Sequence, residues 1–547
     1  MKKIIICLLV VMVASQYSCK KFLDITPIDK VTGNNYYKSV QDVEANITDM
    51  YGQLYDKYVQ TNTAGATGEF RSGEAIPSSS GSGARAVRGD VALLGGHKNR
   101  IPNSGTTPGL VNIQVNGTRS DRYLLFAVAE RDDAGVTNPT RFSALTKWGE
   151  YYRVIQAANI LVDKLQEGIP SLNQDQTKKY IAEAKFIRNY CYFTMVRLYG
   201  DVVYYTNAYQ KDPLPRENMV SVIKKCIADM RSSKNDLPLT VTDPSNRSIR
   251  ASKSAVICLL MNMNMWNAGF DLGGKTAYYQ ETAALGKELM DEAQVSGAPR
   301  LLSLSEWAVV MKGRSEEGLF ELFNSVNYNP NNIPFALAPI GDAFTHFPYK
   351  LPEYDNRTSP VVLTAEYMKK LYPDTKDNRL AIWFDEPFNQ NAETFQMKKF
   401  ATNSPIDGGA GSVNGLPDNT FMIFRYADAI LLRAEALAEL NQDADATTLL
   451  NIVRKRATSP EFPNPNGEPY GLKDAIFYER AKELMGEGSH YFDLVRTKRL
   501  TNRLYTDNYL TSDKYARGGW TWPIDVSALN NNPLMSLNSY WVGSGLE

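Results

Sequence analysis

The sequence predicts a mainly α-helical protein of stacked helix pairs, interrupted by two long irregular loops. Three observations carry this. Apolar residues recur at three- and four-residue spacing through most of the chain. Small residues, Ala158, Ala184, Ala255, Ala434 and Ala438, stand on those apolar faces where two helices can approach closely. Residues 61–122 and 323–362 lose the periodicity, and stretches that long are either functional or poorly ordered.

In chain order, Lys2 and Lys3 precede an apolar run from Ile4 to Ala14. The run is too short to span a bilayer and fits the hydrophobic part of a signal peptide. Ser18 directly precedes Cys19, which resembles a bacterial lipobox. The expectation is that residues 1–18 are a lipoprotein-type signal peptide and that Cys19 is acylated. No later run reaches the length of an apolar membrane helix.

Val43, Ile47, Met50, Tyr51, Leu54 and Tyr58 share one face of a helix over about 40–58. Gly, Ser, Thr and Asn then dominate, with Arg71, Arg85, Arg88 and Arg100 scattered among them. Helical spacing returns at 143–168 (Trp148, Tyr151, Ile155, Leu161, Leu165) and stops before Pro170. It returns at 174–199 (Ile181, Ile187, Tyr192, Val196), closed by Gly200. Shorter helices are expected at 217–235, 252–268 and 276–294. Beyond the second irregular segment come a helix at 364–372 and a Gly-rich loop at 407–415. Helices follow at 421–441, 444–457, 472–487 and 490–499, then a loop-like tail to 547. Helix pairs of 30–40 residues without a strict consensus follow the logic of tetratricopeptide-like stacking, in which neighbouring pairs share a core.

Composition narrows the function. The 547 residues carry 60 Lys+Arg and 60 Asp+Glu, so neither phosphate neutralisation on a nucleic acid nor a basic membrane surface is supported. Hydrophobic residues make up 43%, ordinary for a folded chain. Tyrosine outnumbers the other aromatics, 31 against 21 Phe and 7 Trp, and its ring and hydroxyl suit polar ligands at a wet surface. Cys191, Cys226 and Cys258 are odd in number, unclustered and in apolar helical patterns, so buried free thiols are expected.

Several segments together resemble the SusD/RagB family of outer-membrane nutrient-uptake lipoproteins of Bacteroidota. They are the run from Cys19 to Pro27, the helix from Ala184 into the turn Tyr199, Gly200, Asp201, and the helix from Phe424 to Ala436. The stretch Asn451 to Ala457 and the run from Ile476 to Arg496, with Glu479, Arg480, Glu483, Glu487, Gly488, Phe492 and Asp493, complete the pattern. The resemblance covers about 19–60, 145–235 and 420–500. It implies a single SusD-like body over 19–547, with an N-terminal part about 19–240 and a C-terminal SusD/RagB part about 300–547. It implies a helix-pair scaffold whose long loops bind ligand. It implies a non-catalytic, starch-binding type of protein, without cofactor or metal. Such a protein is lipid-anchored in the outer membrane, at the cell surface, and hands a glycan to a SusC-like TonB-dependent transporter. A peptide-binding RagB-like protein and a secreted glycoside hydrolase are the alternatives.

The resemblance does not make its own signature residues ligand contacts. Arg188, Arg197, Asp201, Arg425, Asp428, Arg433, Glu435, Glu479 and Arg496 sit on or beside apolar faces, where a charge must be paired. They read as ion pairs fixing helix packing. Glycan binding instead needs flat aromatic faces and planar polar groups. The irregular segments supply them. Phe70, Arg71, Arg85, Arg88 and His97 come from the first, and Asn327, Tyr328, Phe344, His346, Phe347 and Tyr349 from the second.

Catalytic patterns are thin. Gly269 to Thr276 fits the phosphate-loop spacing G-x-x-x-x-G-K-[ST], but it follows a helical pattern and not a buried strand, so it reads as an inter-helix loop. Of the three histidines, His490 lies inside a signature stretch and reads as structural. Glu130, Asp132 and Asp133, the pair Glu316 and Glu317, and the pair Asp385 and Glu386 are the carboxylates a glycosidase would draw on.

Overall fold

The computed structural model describes residues 36–61, 63–77, 91, 94–96, 143–325, 361–389, 395–400, 402, 404–407, 413–416, 419–464, 471–530 and 532–542. Helix α1, Val40–Thr61, starts where Ser39 and Asp42 exchange hydrogen bonds: Asp42 Oδ2 accepts the Ser39 N–H at 2.8 Å, and Ser39 Oγ accepts the Asp42 N–H at 3.3 Å. Val43, Ile47, Met50 and Leu54 are buried from this helix, as their spacing requires.

The helix expected at 143–168 is two pieces, Ser143–Thr146 and α2, Gly149–Glu167. Lys57 Nζ takes the Lys147 carbonyl at 2.8 Å, and the Tyr151 N–H turns to Trp148 O instead. α3, Gln174–Tyr199, opens on an Asn173/Gln176 capping box and ends at Gly200, whose φ of 75° has left the helical region. α4 is Met219–Arg231 and α5 is Lys253–Phe270. α5 is apolar around most of its circumference and is buried accordingly, with Leu259, Leu260, Met263 and Trp266 facing different neighbours. α6, Lys275–Ser296, returns along it.

Strand β1, Ala75–Pro77, pairs antiparallel with β3, Val361–Leu363, and β2, Gly318–Leu322, pairs antiparallel with β4, Phe421–Arg425. β4 corrects the expectation of helix from 421. Met422 and Phe424 are buried at alternate positions, and Phe424 lies opposite Phe320. That period-two burial, with a partner strand available, outweighs the helical continuation. Only then does the chain turn into α9, Tyr426–Glu439, followed by α10, Asp443–Arg456, α11, Leu472–Glu483, and α12, His490–Arg496. α7, Ala365–Leu371, and α8, Asn378–Trp383, lie between β3 and β4. In space α1 packs on α2, α2 on α3, α3 on α4, α4 on α5, α5 on α6, and α6 on α9, which meets α10 and α11. This is the expected mainly α stack of helix pairs. No described helix is long and apolar enough to cross a membrane.

The tail is largely loop-like, as expected, but it is packed. Trp520, Trp522 and Trp541 are buried, and short helices occupy Ser512–Ala516 and Val526–Asn530. Cys191, Cys226 and Cys258 are buried free thiols, as read.

Most signature charges pair as expected. Arg425 meets Glu317 at 2.8 Å and Glu487 at 2.8 Å. Arg379 meets Asp377 at 2.7 Å and Glu479 at 2.7 Å, and Arg454 meets Glu479 at 3.0 Å. Arg480 bridges Asp428 at 2.7 Å and Asp493 at 2.9 Å, and Arg496 holds Glu435 at 2.7 Å. Arg188 pairs with Asp229. Three residues depart from the pattern. Arg197 lies over the rings of Phe193 (4.4 Å) and Phe492 (4.6 Å), so an aromatic sandwich replaces a carboxylate. Arg433 reaches Met290 Sδ at 2.9 Å. Asp201 accepts the Met219 N–H at 2.9 Å, at the start of α4.

Candidate functional site

The two irregular segments are rooted together. The first leaves the described scaffold at Pro77, the second returns at Val361, and these residues face each other in the β1–β3 pair. The second departs after Ser325, at the end of β2. Beside that departure lies a cleft of about 620 Å³ between α1, the turn at 245–249 and the end of β2. The volume is within the usual range of small-ligand sites.

Each side chain is placed by its element. Tyr55 projects from α1, beside the buried stripe that Tyr51, Leu54 and Tyr58 belong to. Its hydroxyl donates to Asn324 Oδ1 at 3.0 Å, tying the helix to the root of the second segment. Tyr51 forms part of the wall, its hydroxyl donating to Glu183 at 2.9 Å and accepting the Ala251 N–H at 2.9 Å. Arg314 has a left-handed backbone, φ 59°, and its N–H donates to Glu321 Oε1. Its guanidinium lies 3.9 Å from the ring centre of Phe323. Glu321 is fully buried, and burial pushes its carboxyl up to about 8. Its Oε2 has no hydrogen-bond partner among the described residues. Asn246 and the exposed Asp56 add to the polar lining. Aromatic faces, planar amides and a guanidinium are the groups that recognise a hydroxylated ring.

Two residues expected to touch ligand do not face the cleft. Phe70 and Arg71 are buried. The Arg71 guanidinium donates to the Trp520 carbonyl at 2.6 Å and the Gly519 carbonyl at 3.1 Å, and lies over the rings of Tyr491 and Trp522. Those contacts satisfy its donors inside the protein, so Arg71 anchors the first segment to the C-terminal tail and is no ligand contact. Arg85, Arg88, His97, Asn327, Tyr328, Phe344, His346, Phe347, Tyr349 and Cys19 lie outside the described residues. The sequence reading missed Tyr55, Asn246, Arg314 and Phe323. Only Tyr55 carried a signal, an aromatic just off the apolar stripe of an amphipathic helix.

Several of the other candidate groups have structural partners among the described residues. Glu317 is buried between Arg425 and Arg456, Glu316 pairs with Arg300 at 2.6 Å, and Asp385 pairs with Lys398 at 2.8 Å. Glu130, Asp132 and Asp133 are outside the described residues. His490 is buried 3.3 Å from the Tyr367 hydroxyl, and desolvation lowers its ring to about 4. Gly269 of the phosphate-loop spacing packs against another backbone: a Cβ there would clash with the Arg496 carbonyl oxygen. The Gly274 N–H is taken by Asp271 at 3.3 Å, and Asp271 pairs with Lys224 at 2.8 Å. One of the amides that would cradle a phosphate, that of Gly274, therefore faces an acid.

Comparison with known proteins agrees with the fold. A family model described as "SusD family" matches residues 384–541, and one described as "Starch-binding associating with outer membrane" matches residues 114–263. A SusD-like protein of Formosa agariphila is 26% identical over 455 residues, 77% of this chain and 85% of that protein. The starch-binding protein SusD of Bacteroides thetaiotaomicron is 34% identical over 258 residues, 45% of this chain and 44% of that protein. The crystal structure of a SusD homolog from Bacteroides thetaiotaomicron superposes with a TM-score of 0.75 at 32% identity, over 92% of this chain and 99% of that one. A laminarin-binding SusD-like protein superposes with a TM-score of 0.63 at 20% identity, over 92% and 99%. This last likeness is one of fold.

Proposed function

The chain belongs to the SusD family, and from that premise we propose that it is a non-catalytic glycan-binding protein of the outer membrane. It captures an oligosaccharide or polysaccharide and delivers it to a SusC-like TonB-dependent transporter. The observation that carries this reading is the cleft at the root of the second irregular segment, where Tyr55, Phe323, Asn324 and Arg314 converge. Outer-membrane association is supported by the family description matched at residues 114–263. Glycan binding is supported by relatives named for starch and for laminarin. In this reading Cys19 carries the lipid at the cell surface. Arg85, Arg88, His97, Asn327, Tyr328, Phe344, His346, Phe347 and Tyr349 extend the binding surface outward from the cleft.

Titration calorimetry of the mature chain against polysaccharides and peptides tests the ligand class. Heat with a glycan is expected, and heat with peptides alone would replace this reading by a RagB-like one. A reducing-sugar assay tests the absence of catalysis. Co-purification with a SusC-like transporter from outer membranes tests the partner.

A further inference from the structure

Arg314, which borders the cleft, differs from most arginines of the scaffold. Arg379, Arg425, Arg454, Arg456, Arg480 and Arg496 each meet at least one carboxylate within the 4.0 Å of an ion pair. Among the described residues no carboxylate comes that close to the Arg314 guanidinium. Its contact is the face of Phe323. Stacking occupies the face of the guanidinium plane and leaves its N–H edges free to take a planar acceptor in two parallel hydrogen bonds.

The surroundings hold that plane in position. The left-handed backbone at residue 314 is a conformation a non-glycine residue seldom adopts, and it is fixed by the hydrogen bond from the Arg314 N–H to buried Glu321. Glu321 lies behind the site, fully buried with one carboxyl oxygen unbonded. Because burial favours its neutral form near pH 7, it leaves most of the arginine's charge uncompensated. Asp56, the other acid of the lining, is exposed. Asn246 and Asn324 supply donors and acceptors for hydroxyl groups in the same cleft.

We propose that this cleft takes a carboxylate-bearing sugar, a uronic or comparable acidic unit of a glycan, with the Arg314 guanidinium reading the carboxylate and Phe323 holding it flat. The inference rests on the glycan-capture reading and narrows it to a substrate class.

The test is titration calorimetry on the mature full-length chain. The probes are oligosaccharides of polygalacturonate, alginate and hyaluronan, their carboxyl-reduced counterparts, and neutral glucans. At least one acidic oligosaccharide is expected to bind. Carboxyl reduction should weaken it about tenfold or more, and added salt should weaken the acidic form alone. Arg314→Gln should lose that same factor for the acidic form and little for the reduced one. Arg314→Lys, which keeps the charge but not the fork, should fall between. Arg314→Gly, which suits the left-handed backbone, guards against misfolding and should reproduce the Gln result. If reduction leaves affinity within about twofold, or if only neutral glucans bind, the acidic-sugar inference is overturned and glycan capture stands. If no glycan of either kind binds, both fall.

Discussion

Arg425 Nη1 lies 2.6 Å from Glu483 Oε1, and neither side chain is exposed. The pair joins β4 to α11, and Glu483 also takes Arg379 and Arg456. Removing its charge therefore leaves three buried guanidinium groups short of a partner. Glu483→Gln is expected to cost about 3–5 kcal/mol, read as a lower urea midpoint. Asp291→Asn breaks the exposed Lys287–Asp291 pair and should move the midpoint by less than about 0.5 kcal/mol.

Acid should unfold the protein in stages. Desolvation holds His490 near 4, below its ordinary 6.5, so the unfolded chain takes that proton first and stability falls as pH drops from 6.5 towards 4. Neighbouring arginines hold Glu479 and Asp493 near 2, although burial alone would raise them. Their contribution is complete above the ordinary carboxylate range and is lost as pH falls towards 2. Urea midpoints between pH 7 and pH 3 check this, and His490→Gln should flatten only the upper part of the decline.

Glu321 has the opposite sign. Its carboxyl is raised from 4.5 to about 8 by burial, so the folded state holds a proton that the unfolded chain releases. Stability from this group is present at low pH and declines as pH rises through that window. Glu321→Gln keeps the acceptor for the Arg314 N–H without the buried charge. The variant's melting temperature should overtake that of the wild type progressively between about pH 4.5 and pH 8, the window its shift defines.

At the phosphate-loop spacing, packing and charge separate cleanly. Gly269→Ala puts a methyl group against the Arg496 carbonyl and should cost about 1–3 kcal/mol, measured by thermal unfolding. Lys275→Ala, whose side chain reaches Glu439 only at 3.9 Å, should cost less than about 0.5 kcal/mol. ATP with magnesium should leave the melting temperature unchanged. A clear rise would revive the nucleotide reading.

Tyr55 should matter to binding more through its ring than its hydroxyl. Tyr55→Ala is expected to weaken the best glycan about tenfold by calorimetry. Tyr55→Phe keeps the ring, removes the bond to Asn324 and should cost a few-fold.

The order of helices in this protein was legible because each buries one stripe, and a stripe is a local pattern. Val43 to Leu54 on α1 and the capping signal at Asn173 needed no partner to be read. So was the structural role of Arg425, Glu479 and Arg496, since a charge on an apolar face must find its opposite. Their partners were not legible: Arg425 meets Glu317 from 108 residues away, and nothing local marks that distance. The strand at Phe421–Arg425 was hidden because its pairing with Gly318–Leu322 is long-range, and its five residues run unbroken into a strong helical pattern. Arg71 and Arg314 show the limit most directly. Both are arginines near an irregular segment, Arg71 inside the first and Arg314 ahead of the second, and residue type alone does not say which one meets a ligand. One has its donors consumed by the carbonyls of Gly519 and Trp520, and the other is stacked on Phe323 with its edges open to a cleft. Residue type and periodicity determined the scaffold and the kind of chemistry available. Which guanidinium is offered to a ligand was decided only when distant segments closed around one and not the other.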